Sequence, residues 1–150
     1  MDYESLKKNE KYEITFVENV FTTELNNLYD NKSEKAKRQD GFSSHLKKRK
    51  EEFFKTDFIQ QFKIVIITAI DNKYIETYQG EVCELFDVEF LDKKTVGENG
   101  IMWIHKGNSF PKLVIHTRHL TSGASDALLI EIANVIKSFI KENGIEILVK

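Results

Sequence analysis

Proline is almost missing from this sequence, at one residue, and glycine is scarce, at seven in 150. No stretch has the composition of a linker, and no low-complexity tract or internal repeat is present. Cysteine is missing but for Cys83, which excludes an internal disulfide and suits a reducing compartment. No apolar run approaches the ~18 residues a membrane span needs. Met1 to Asn31 lacks the apolar core of a signal peptide, so a cytoplasmic location is the expectation. Charge of one sign is also lacking: the formal net charge is −2, which gives no global attraction to nucleic acid or membrane. No HExxH, no paired cysteines, no P-loop and no G-x-G-x-x-G occur, so neither a metal nor a cofactor is expected.

What is present is a well-supplied core. Hydrophobic residues make up 41% and charged residues 31%, with eleven Phe, five Tyr and one Trp. A chain of this length and composition is expected to form a single domain over 1–150.

Its clearest pattern lies at Pro111 to Lys150. Lys112 to Leu120 is β-branched and partly alternating, the mark of a strand. Thr121-Ser-Gly-Ala-Ser-Asp126 reads as a turn that caps a helix. From Ala127 to Asn143 apolar residues recur at helical spacing: Leu129, Ile132, Ala133, Ile136, Phe139 and Ile140, widened by Leu128 and Val135. Gly144 suits the left-handed position that ends a helix, and Ile145 to Val149 reads as a short final strand.

Upstream, Tyr12 to Val17 alternates as a strand, and Thr22 or Thr23 is placed to cap a short helix that carries Leu25, Leu28 and Tyr29. Asn31 to Gly41 is expected to be an exposed connection. A second helix is expected from Ser43 or Ser44, with Leu46, Phe53, Phe54, Phe58 and Phe62 on one face. Phe62 to Ile70 is apolar enough for a central strand covered on both sides. Asp71-Asn-Lys73 turns into a strand at Tyr74 to Tyr78. Glu81 to Leu91 alternates as a further strand, Gly97-Glu-Asn-Gly100 is a turn, and Ile101 to Lys106 is another strand. The sum is an α+β domain with a mostly antiparallel sheet of about six strands. Helices pack on it, and a long C-terminal helix precedes the final strand.

Three features invite a functional reading. The first is the strand–helix junction. Alternation puts His116 and Arg118 on one face and Thr117 and His119 on the other. The free amides of a helix start attract anions, so His105, His116, Arg118, Ser122 and Ser125 are candidate ligands for a phosphate or carboxylate. The second is acidic: residues 76–98 hold seven acids against two bases. Asp92-Lys-Lys94 has the D-x-K spacing of PD-(D/E)xK nucleases. The following strands, Trp103-Ile-His105 and His116-Thr-Arg118, hold no carboxylate, and no nuclease activity is inferred. The third is basic: residues 32–55 hold nine bases against four acids, Lys47, Lys48, Arg49 and Lys50 among them. No nucleic-acid motif accompanies them.

Segregated charge steers proteins towards complementary partners. The sequence therefore points to a small cytoplasmic binding protein of the immunity or inhibitor type. It would occlude another protein through Lys47, Lys48, Arg49, Lys50, Glu81 and Glu84. The alternative is an enzyme or sensor binding a phosphate-bearing or other anionic ligand at the His116–Ser125 junction.

Overall fold

A computed structural model describes residues 20–26, 28, 35, 37–75, 80–120 and 124–146. The chain separates into two units, one of Leu25–Gly144 and one of Met1–Glu24 with Ile145–Lys150. The first unit carries the fold described below.

Helix α1 spans Phe42–Arg49 and runs on into a π-helical turn, Lys50–Phe54. Its N-cap is Gly41 and not a serine, and no side chain caps it. The helix stops at Lys55, and Thr56 precedes the short helix α2, Asp57–Gln60. A π turn takes one extra residue and so resets the phase of the side chains beyond it. Phe42, Leu46, Phe54 and Ile59 are buried, while Phe58 is turned to solvent. The single face expected from Leu46 to Phe62 is thereby broken at Phe58.

Strand β1 covers Ile64–Ile67, helix α3 Glu81–Phe86, strand β2 Val88–Val96, strand β3 Gly100–Gly107 and strand β4 Leu113–Thr117. Helix α4 spans Asp126–Glu142. The sheet order is β1-β4-β3-β2. Strand β1 runs parallel to β4, and the other two pairings are antiparallel. The fold is thus α+β around one mixed sheet with a long C-terminal helix. Four strands stand among the described residues, not about six, and the sheet is not antiparallel throughout. Among the described residues strand β1 lies at the side of this sheet and not at its centre, and its Ile66 is exposed. Residues 81–86 are helical, not extended. Thr22 to Asn26 are not helical. The strand expected at Tyr12–Val17 and most of that at Tyr74–Tyr78 fall outside the described residues. Of the final strand, Ile145 and Glu146 are in no strand and 147–150 lie outside the described residues.

Alternation along β4 sends its side chains to two cores. Leu113 and Ile115 join Met102 and Ile104 beneath α4, whose Leu128 and Ile132 are buried against them. Val135, Ile136 and Phe139 extend the contact. On the opposite face Val114 and Ile67 pack with Phe54, Ile59, Val82, Leu85 and Phe86 from α1 to α3. Helices therefore cover both faces of the sheet. Ser125 caps α4 by accepting the Leu128 N–H at 3.2 Å, and Gly144 ends the helix with φ 58°.

Candidate functional site

Helix α3 exists because Val82, Leu85 and Phe86 share one face, and all three are buried. Gly80 supplies its N-cap with φ 95°, a conformation open to a residue without a β-carbon. Asp87 then takes a left-handed conformation, φ 51°, and turns the chain into β2. Glu81 and Glu84 thus stand in the first turn of a helix, where the dipole favours acids.

This placement brings the acidic stretch to the basic one. The Lys50 ammonium lies 2.5 Å from a Glu81 carboxylate oxygen, and the pair is only partly exposed. Around it opens a cleft of about 410 Å³ between α1, α3 and the turn at Asn72. Lys47, Lys50, Lys55 and Lys73 line it together with Glu81 and Glu84. The turn is fixed by Asp71, whose carboxylate accepts from Lys37 at 2.5 Å and from the Lys73 backbone at 2.9 Å. Those two bonds, the Lys37 one first, hold the Asp71 carboxyl below its ordinary pKa. Lys37 also lies 5.4 Å from the Tyr74 ring centroid, so part of the expected exposed connection is pinned down.

The remaining basic residues of α1 point elsewhere. The Arg49 guanidinium lies over the rings of Phe53, at 4.5 Å, and Phe54, at 5.5 Å. Lys48 stays in solvent, 3.8 Å from Glu52 one helical turn on. Of the six residues read as two separate charged surfaces, four therefore line one cleft. Lys47 and Glu84 face that cleft with no ion pair among the described residues.

The junction residues are distributed differently. Cross-strand register pairs Trp103 with His116 and His105 with Val114, so all four point to the face opposite α4. The His116 ring lies 5.5 Å from that of Trp103. His105 and His116 are both fully buried. His105 Nδ1–H donates to the Val114 carbonyl at 3.3 Å. His116 bonds through Nε2 to the Ala69 carbonyl, which fixes Nε2 as the protonated nitrogen. Nδ1 then keeps a lone pair with no partner among the described residues. Burial holds the His116 imidazole below its ordinary pKa, the Ala69 bond opposes this, and His105 adds to it. Arg118 donates from Nη1 to the Asn99 carbonyl at 2.9 Å, tying β4 to the β2–β3 turn. Ser125 is engaged as the α4 cap, on the other face, and Ser122 lies outside the described residues. The structure thus gathers the two histidines but points them away from the helix start.

Sequence reasoning missed Lys112 and Gln60. Lys112 is 1% exposed, and its amine donates to Gln60 Oε1 at 2.9 Å. Gln60 Nε2 donates in turn to the carbonyls of Phe54 and Leu85, at 2.7 and 3.0 Å. Desolvation lowers the Lys112 pKa, and Asp87 partly offsets it. No period marks a lysine of this kind, because its role depends on residues 52 positions away.

Among the described residues no cluster of His, Cys, Asp or Glu is arranged to hold a metal ion, and no helix is long and apolar enough to cross a membrane. Compared with known proteins, the chain matches no family model, no curated protein and no solved structure.

Proposed function

We propose that this chain is a cytoplasmic protein-binding domain that acts by occluding a partner, as immunity and inhibitor proteins do. Its contact surface is the cleft between α1 and α3. One observation carries the reading: Lys47, Lys50, Glu81 and Glu84 share a single open cleft. Lys47 of α1 and Lys50 of the π-helical turn face Glu81 and Glu84 of α3 across it, with Glu51 a carboxylate on the mainly basic side. A surface with its charge divided this way selects a partner of the opposite arrangement and speeds its approach. The Lys50–Glu81 bridge spans the cleft and holds its walls in register, which leaves Lys47 and Glu84 to meet the partner.

The test is capture of a partner from the native host by the full chain, followed by binding kinetics with the purified pair. Lys47→Glu and Glu84→Lys are the variants, because neither breaks an ion pair among the described residues. Each should slow association about tenfold or more at low salt, and rising salt should slow the wild-type protein as well. Association that neither variant nor salt alters rules out the cleft.

A further inference from the structure

A second concave surface lies on the other side of the molecule, between α4 and the outer part of the sheet. It is a groove of about 1010 Å³. Its lining on α4 runs from Glu131 to Glu142, a length of about 17 Å at 1.5 Å per residue. That suits a segment of polypeptide better than a small metabolite. The floor is apolar, built from Ile104, Leu113, Val135 and Phe139.

Two large apolar side chains stand on its lips, Leu91 at 54% exposure and Phe110 at 45%. Each is held out by a local device. The register of β2 against β3 shifts between Phe90 and Asp92, so Leu91 is the extra residue of a β-bulge. Bulges re-aim a side chain in this way. Phe110 sits in the loop after Gly107, whose N–H donates to the Lys112 carbonyl at 2.8 Å and closes the loop tightly. A β-carbon at Gly107 would strike the Phe110 carbonyl, so the loop requires glycine.

The groove is lined by three acids and three lysines, so the pairing of these charges, and not their sum, gives the sign of its occupant. Its lysines are engaged: Lys94 with Glu131 at 2.6 Å, Lys106 with Glu89 at 3.2 Å, and the Lys112 amine with Gln60. Its carboxylates are not all engaged. Asp92 accepts only from the Lys93 backbone, and Glu142 has no ion pair among the described residues. Glu142 also stands in the last turn of α4, where the helix dipole is already negative.

We propose that this groove binds a basic, apolar-anchored segment of another protein. Bulky side chains of the segment pack between Leu91 and Phe110, and its Lys or Arg residues meet Asp92 and Glu142. This surface is separate from the α1–α3 cleft and does not depend on it.

The experiment is selection from a phage-displayed random peptide library on the purified full chain, then calorimetry with a synthesised winner. Winners should carry bulky apolar residues with Lys or Arg. Phe110→Asp should weaken a winner about tenfold or more, as loss of an aromatic anchor does. Asp92→Lys with Glu142→Lys should weaken it too, while Lys47→Glu in the other cleft leaves it unchanged. Circular dichroism on each variant checks that the exposed substitutions leave the fold intact. An absence of enriched peptides, a consensus without basic residues, or affinity indifferent to the groove variants would overturn the proposal. So would self-association abolished by Phe110→Asp, which would make a second copy the occupant.

Discussion

One face of the sheet is covered by a single helix, α4, and the other by short helical pieces: α1 with its π-helical turn and then α2, close together in the chain, and α3 further on. The α4 face is built almost wholly of aliphatic side chains and Phe139. The opposite face buries His105, His116 and the stem of Lys112 among its apolar residues. A continuous helix supplies its own backbone bonds and can present one apolar stripe. Short pieces end often, and each end leaves carbonyls that something must satisfy. Gln60 does this for Phe54 and Leu85, and His116 meets a further free carbonyl, that of Ala69 in the irregular segment after β1. The polar groups on that face belong to the way its cover is assembled.

The comparison is broken most severely by emptying the assembled face. Phe86 is almost fully buried where α3 meets the sheet. Phe86→Ala should cost about 3–5 kcal/mol. Chemical denaturation measures it, and a loss below about 1 kcal/mol would mean that α3 does not pack as described. A smaller effect is expected from Gln60→Ala, which leaves an amine and two carbonyls without their partner, at about 1–3 kcal/mol. Adding Lys112→Met should restore part of that loss, because the unpaired amine is removed with its acceptor. If Lys112→Met only deepens the loss, the amine contributes more than its bond to Gln60.

The same contrast shows what a sequence carries. The α4 face is legible because one residue period, one cap and one stop lie in a continuous stretch. Ser125, Asp126 and Gly144 all stand where local rules put them. The phase is less well marked: the buried line runs through Leu128 and Ile132, while Ala133 is exposed. Glu81 to Phe86 is ambiguous, because Val82, Glu84 and Phe86 fit a strand and Val82, Leu85 and Phe86 fit a helix. Six residues do not decide between the periods. The Gly80 cap and the left-handed Asp87 decide it in favour of the helix. Strand β1 is apolar enough to read as central, yet it pairs only with β4 among the described residues. The residues of the charged cleft are visible as types and not as a place. Lys50 and Glu81 are 31 positions apart, and no local pattern encodes their contact.

A pH titration sharpens the contrast further. The folded protein protonates His116 below its ordinary range, whereas the unfolded chain takes the same proton near pH 6.5. Between those values the unfolded state binds more protons. This contribution to stability is therefore full above about pH 6.5 and lost as pH falls through the window below it. Urea unfolding at pH 7.5, 6 and 5 should show that decline. His116→Gln, which has no charge to gain, should flatten it, and an unchanged slope would assign the effect elsewhere.

The central claim is that the basic and acidic stretches form one surface, and a double-mutant cycle on Lys50 and Glu81 tests it most directly. The single changes Lys50→Ala and Glu81→Ala, and the two together, are compared by denaturant unfolding. The account predicts a coupling of at least about 0.5 kcal/mol, since the two groups touch and are partly buried. Exchanging the charges, Lys50→Glu with Glu81→Lys, should recover stability that Lys50→Glu alone loses. Effects that simply add, with no recovery on exchange, would contradict it: the two stretches would then be separate, and there would be no cleft between them.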